Sequence, residues 1–408
     1  PSGHPTRSPM KRTLVIATAT LLVIGAVGLT SRHHTNRAWA SMLVQLDAME
    51  AERLARPTER EALYGETTEG LAWDHYWRAL DEIDSLGRDW ERVERATDPG
   101  DDAERRDRDV LIAEAAAALE HLHLGAHARD AATSVDFRQG VEARIPRLFA
   151  SRALSQIACA RMRALCEKGD QLAGLRGVLD AQQYARDLAV SPVLIEEMIG
   201  VSLLVPAGAE DFIASDGHVL SRETTAVWLD ALDDLAASIG VESHSFIGEM
   251  EMVGREFQIH EIRTSSWISS MSIEPGWRFG FSWRGAAVDH LDRGTERARE
   301  VVAAYRMPPA RAIPAMLELG RDADDDHNPL IRSMFPKAHS AVYSRYWNLA
   351  RLSYLRHALA LELGRVPCEL VDPLGNGVKV TREDGVLRIE TEVDDGNPNR
   401  LGITLRFE

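Results

Sequence analysis

Residues 147–189 read RLFASRALSQIACARMRALCEKGDQLAGLRGVLDAQQYARDLA. Leu154, Ile157, Ala158, Met162 and Leu165 recur at the helical period, and Lys168-Gly169-Asp170 supplies a glycine stop, so 147–167 is expected to be an amphipathic helix. The following stretch, 171–189, places Leu172, Leu175, Val178, Leu179 and Leu188 inward and stops before Ser191-Pro192. So short a connection makes the two helices antiparallel neighbours.

Working outward, the same periodicity runs from Ser41 to about Leu363. A helix is expected from Ser221, with Trp228, Leu232, Leu235 and Ile239 on one face, and a long one over 338–363 closed by Gly364. Breaks fall at 96–102, 274–285, 307–314 (MPPARAIP) and 322–329. The hairpin at 150–190 has a tetratricopeptide-like shape, but no second copy stands at a 34-residue offset, so an irregular antiparallel bundle fits better than a solenoid. Beyond Gly364 the pattern changes to period two: 378–383, 386–391 and 403–407 alternate, with Asp384-Gly385 at the reversal. A small antiparallel sheet is expected there. The layout is thus mainly α: an extension at 1–12, a transmembrane helix or signal anchor at 13–31, a helical body at 41–365 and a small β tail at 366–408.

The span rests on nineteen uncharged residues between Arg12 and Arg32, with an apolar core from Leu14 to Leu29. At 1.5 Å per residue they reach about 28 Å, close to the hydrocarbon thickness of a bilayer. A single-pass anchor in the lipid bilayer is the preferred reading. A cleaved signal peptide ending at Ala38-Trp39-Ala40 and a buried core helix are the rivals. Basic residues on both sides lean the N-terminus toward the cytoplasm, which places the body in the periplasm or outside the cell.

The 408 residues carry a formal net charge of −16. Residues 1–40 hold Arg7, Lys11, Arg12, Arg32 and Arg37 and no acid, so the remainder carries −21. A body so acidic, with no basic stripe, excludes nucleic acid as a partner. Only four of the 47 basic residues are lysine, a skew that reflects genome composition more than a site. Three cysteines exclude a disulfide framework and a four-cysteine zinc site, and Cys159 and Cys166, seven apart on one helix, cannot pair.

The C-terminal run NPLIRSMFPKAHSAVYSRYWNLARLSYLRHALALELGRVP, followed by VDPLGNGVKVTREDGVLRIETEVDDG, resembles the end of a large group of bacterial proteins with an N-terminal membrane helix, a helical body and a "DP-x-x-G" hairpin. The hairpin is in turn similar to the C-terminal turn of type II secretion major pseudopilins. Asp372, Pro373 and Gly375, then Asp394, Asp395 and Gly396, stand at matching places. The resemblance implies a domain layout and a calcium-binding turn at Asp394 and Asp395, but no activity. The N-terminus lacks the pseudopilin processing glutamate.

Four clusters are candidate sites. His123 and His127 stand at i,i+4 with Glu120 one turn earlier, a spacing that aims two imidazoles at one divalent metal ion. Glu249, Glu256 and His260 fall at i, i+7 and i+11 on one helix face, either as metal ligands or as a charged outer face paired with Arg255 and Arg263. Asp394 and Asp395 are the calcium candidate. Trp267, Trp277, Phe279, Phe281 and Trp283 form an aromatic cluster suited to a membrane interface or partner surface.

Gly-x-Ser-x-Gly, P-loop and dinucleotide signatures are lacking, so no catalytic residue is assigned and no cofactor is expected beyond such a metal ion. The expected function is an extracytoplasmic interaction scaffold on the bacterial inner membrane, an envelope or secretion component whose partners are other envelope proteins. The alternative is a metal-dependent hydrolase working from the Glu249–His260 face.

Overall fold

A computed structural model describes residues 33–392, except 88, 134, 206–219, 240–242, 261–280, 325, 327–330, 333–334, 336–337, 371 and 373–375, together with 402–406. Helix α1 spans 33–54. After it come β1 (Thr68–Leu71), α2 (Ala72–Ser85), α3 (Trp90–Thr97), α4 (Asp102–Glu114), α5 (Ala116–His127) and β2 (Ala128–Asp130). The chain continues through α6 (Leu148–Glu167), α7 (Gln171–Ala189), α8 (Leu194–Leu203), α9 (Arg222–Ser238) and α10 (Ser245–His260). It ends with α11 (Phe281–Tyr305), α12 (Pro309–Asp324), α13 (Ala338–Leu363) and the strands β3 (Val378–Glu383), β4 (Val386–Thr391) and β5 (Gly402–Arg406). The protein is a mainly helical bundle with a small antiparallel C-terminal sheet.

Local chemistry sets the helix ends. Asp101 accepts the backbone N–H of Ala103 and Glu104 to start α4, while Glu104 reaches back to the N–H of Gly100. Ser221 caps α9 through the N–H of Thr224. Gly364 ends α13 at φ +68°, where the N–H of Arg365 returns 2.9 Å to the carbonyl of Ala360. In the β3–β4 hairpin, Asp384 and Gly385 both take positive φ and fix the register Glu383↔Val386. Leu387, Ile389 and Thr391 alternate inward along β4 as the period of two requires. Asp372 of the Asp-Pro motif is buried and accepts both the N–H and the side-chain amide of Asn376.

Among the described residues two large hydrophobic cores form, beside a small cluster of Val135, Phe137, Ala143, Val193 and Met252. The larger gathers α2 to α9, the second half of α13 and the inner face of the sheet. The smaller is built from α1, α10, α11, α12 and the first half of α13. Helix α13 joins them, giving Val342 and Tyr346 to one core and Leu352, Tyr354, Leu355 and Leu359 to the other. At the junction Arg345, almost fully buried, donates to Glu197 at 2.6 Å and to the carbonyl of Ile239 at 3.2 Å. The hydroxyl of Ser243 donates to the other Glu197 oxygen.

Three expectations change. The chain is not helix after helix, because β1 and β2 pair in parallel with Thr68 opposite Ala128 and Leu71 opposite Asp130. The break foreseen over 307–314 ends where α12 starts at Pro309, and Pro314 lies inside that helix, where it has no N–H to give the ladder. The body begins before Ser41, since Trp39 is buried in the smaller core. No described helix is long and apolar enough to cross a membrane; the expected span at 13–31 and the extension at 1–12 lie outside the described residues.

Replacing Arg345 with methionine leaves the Glu197 carboxylate buried without its cation, which is expected to cost about 3–5 kcal/mol. Urea unfolding followed by circular dichroism measures it, and a loss below about 1 kcal/mol would mean the pair is not what locks the junction.

Candidate functional site

Helix α7 is buried along its whole second half, from Val178 to Ala189, yet carries Asp180, Gln183 and Asp187 there. A buried carboxylate needs a cation or several donors, and Asp187 has both. Arg60 donates to it through Nε at 2.9 Å and Nη2 at 2.6 Å, the Tyr76 hydroxyl donates at 2.8 Å, and the Gln183 amide at 3.2 Å. Arg60 also donates to the carbonyls of Ala126 and Gly125 at the end of α5. Burial alone would lower the pKa of Arg60, but the Asp187 charge raises it above the ordinary arginine value. Gly125 is where α2 meets α5: a Cβ there would lie 2.4 Å from the Tyr76 ring. The glycine that weakens the helix is what lets Tyr76 reach Asp187.

Beside this network a cleft of about 790 Å³ opens between the end of α1, the 55–61 segment and α7. Arg53, Arg56, Arg60 and Arg186 line it, with Trp73 and the acids Glu59, Glu61, Asp187 and Glu197. Arg53 is neutralised by a two-pronged pair with Glu251 at 2.9 and 3.0 Å. Arg56 has Glu52 only at 3.8 Å. Arg186 donates to the carbonyl of Glu61 and stands 3.7 Å from an Asp187 carboxylate already held by Arg60. Burial lowers the pKa of both Arg56 and Arg186, with Glu52 and Asp187 opposing only in part. Two guanidinium groups therefore face the cleft with their paired carboxylates no closer than 3.7 Å.

One turn pair back along α7, Asp180 faces α5. The Tyr64 hydroxyl donates to it at 2.8 Å, His123 Nδ1 stands 3.1 Å away and His127 Nε2 3.5 Å away. Asp180 raises the pKa of His127, and burial opposes it. The structure thus brings together the two histidines read from the sequence, but their carboxylate comes from Asp180, 57 residues beyond His123, and not from Glu120. Among the described residues this is the one group of three His, Cys, Asp or Glu side chains with donor atoms close enough to share a metal ion.

The Glu249–Glu256 face is not a charged outer face, because Glu256 is buried and Glu249 is half-buried. Glu249 accepts the N–H of Leu194 at 3.0 Å, and Glu256 lies against Gly140, whose positive φ admits it. Arg255 turns to Asp47 and Glu50 on α1. His260 ends α10. Trp267, Trp277, Phe279, Asp394 and Asp395 lie outside the described residues, while Phe281 and Trp283 open α11. Sequence reading missed Arg60, Asp187, Arg56 and Arg186; the available signal was Asp180, Gln183 and Asp187 at i, i+3 and i+7 among the apolar residues of α7.

No protein-family model, curated protein or solved structure matches the chain.

Burial raises the pKa of Glu196 to about 7, where the Ser191 hydroxyl opposes and the Glu249 charge adds. Glu249 is likewise raised by burial to about 7, against the N–H of Leu194. A carboxylate with a raised folded-state pKa contributes stability that is full below its unfolded value and lost as pH rises through the folded one. The protein is therefore expected to lose stability between about pH 4.5 and pH 7.5. Glu249→Gln keeps an acceptor for Leu194 and flattens that fall by on the order of 2 kcal/mol; parallel urea titrations of both proteins at pH 5 and pH 8 test this, and identical slopes would contradict it.

Proposed function

We propose that the chain is a single-pass protein of the bacterial inner membrane whose helical body, in the periplasm or outside the cell, holds an acidic segment of another envelope protein. The observation that carries this reading is the cleft, with Arg56 and Arg186 facing about 790 Å³ of space and their paired carboxylates no closer than 3.7 Å. A peptide carboxylate offers the planar pair of oxygens that guanidinium groups accept. Trp73 gives the same cleft an apolar wall for the rest of the segment.

The apolar segment 13–31 supplies the tether, and helix α1 supports its being kept. Helix α1 buries Trp39, Met42 and Leu46 in the smaller core, and Arg284 stands 5.6 Å over the Trp39 ring while donating to Asn36 at 2.7 Å. A cut after Ala40 would remove Trp39 and Asn36 from these contacts, which supports an anchor that is kept over a leader that is removed. Arg53 and Leu54, at the far end of α1, line the cleft about 30 Å along the helix from residue 33. One element then links the membrane side of the body to the binding face.

The test is a photo-crosslinking residue at Leu54, which is 67% exposed at the cleft, in cells expressing the full chain. A discrete crosslinked protein is expected in the carbonate-resistant membrane fraction, reduced at least about fivefold by combined Arg56→Gln and Arg186→Gln. An unchanged crosslink in the double variant would rule out the cleft as the binding face, and a mature chain beginning at Ser41 and released by carbonate would rule out the anchor.

A further inference from the structure

The pocket on the seam of α5 and α7 has no part in the cleft reading, and its donors are arranged for a different ligand. His123 and His127 are one turn apart with ring centroids 4.4 Å apart, and Asp180 faces both. One donor atom from each of the three lies within 4.8 Å of the other two. His123 Nδ1 stands 3.1 Å from Asp180 Oδ2 and His127 Nε2 3.5 Å from Asp180 Oδ1, so the two rings face the two oxygens of one carboxylate.

The surroundings fix how each donor is presented. His127 Nδ1 lies 3.0 Å from the carbonyl of Glu66, and since a carbonyl only accepts, the proton is on Nδ1. Nε2 faces the Asp180 carboxylate, and in the neutral ring it is the nitrogen whose lone pair a metal ion can take. Nε2 is buried and makes no hydrogen bond, although a carboxylate oxygen is 3.5 Å away. Gly65, at φ +69°, lies under the ring, where a Cβ would come 3.2 Å from His127 Cε1. A metal-bound imidazole is held in the same way, by a carbonyl on its remote nitrogen. Tyr64 donates to Asp180 Oδ1 and packs edge-on to His127, which orients the carboxylate from behind. His123 is half exposed, so an ion can enter from solvent and keep a water on that side.

We propose that His123, His127 and Asp180 bind one divalent transition-metal ion of the zinc class, with a fourth position open to solvent. Two imidazoles and one carboxylate suit zinc, cobalt or nickel and are a poor match for calcium or magnesium, which take oxygen ligands. Tyr64 is a positioning residue: its hydroxyl donates to Asp180 at 2.8 Å and stands 3.2 Å from His123 Nδ1.

The experiment uses the full chain in detergent, stripped with chelator, dialysed and titrated calorimetrically with zinc alone. One zinc per chain is expected. His123→Gln, on a half-exposed side chain that tolerates substitution, and Asp180→Asn, which still accepts from Tyr64, are each expected to weaken binding at least tenfold. Replacing His33 and His34 with glutamine, the exposed pair at the start of α1, should leave binding unchanged. Zinc should raise the melting temperature of the parent protein and not that of His123→Gln. Absence of stoichiometric binding, equal affinity in His123→Gln and Asp180→Asn, or loss of binding with His33 and His34 would each overturn the assignment.

Discussion

A carboxylate that is 2% exposed cannot stay ionised alone, and the pairing of Asp187 with Arg60 is the constraint on which this face of the protein is built. The Arg60 guanidinium reaches four partners on three helices at once: Asp187 on α7, Tyr76 on α2 and two carbonyls at the end of α5. Satisfying it draws the 57–67 segment across three helices. Glu59 then bridges to Asp130, Arg60 donates its N–H to the carbonyl of Arg129, and Ala131 returns one to Thr58. The segment so placed forms one wall of the cleft, and a few residues later it delivers Tyr64 to Asp180 and the Glu66 carbonyl to His127. Cleft and pocket are consequences of one electrostatic requirement repeated at Asp180 and Asp187, two turns apart.

The second organising feature is α13. It passes from one core to the other and carries Arg345 at the crossing, where Glu197 of α8 and the end of α9 meet it. An ion pair there adds little net stability against a well-packed apolar alternative, but removing one partner is costly, so the pair fixes how the helices meet. Glu196 and Glu249 sit close by under the opposite arrangement, with a hydroxyl and a backbone amide as donors where Glu197 has a guanidinium. Burial therefore raises the pKa of Glu196 and Glu249.

The helical framework was legible because burial on one face imposes a period. Leu154, Ile157, Ala158 and Met162 are buried as their spacing requires, while Leu165 at the helix end is half-buried. The Asp384-Gly385 turn was legible because few other pairs accept two positive φ angles. The β1–β2 pair was not, since strands of four and three residues joined in parallel across 57 residues leave no local pattern. Half of the metal pocket was legible: spacing within α5 identifies His123 and His127, but their carboxylate comes from another helix. Glu249 and Glu256 misled because spacing shows which residues share a face, not whether that face points to water.

Hydrogen exchange of the full chain carrying Asp187→Asn tests the central claim most directly. The amide keeps a hydrogen-bond acceptor but removes the charge that holds Arg60. Faster exchange is predicted across 57–67 and the end of α5, with α10 to α12 in the smaller core unchanged. Native protection throughout 57–67 would contradict this, showing that the segment is held by packing alone and that Asp187 does not shape either site.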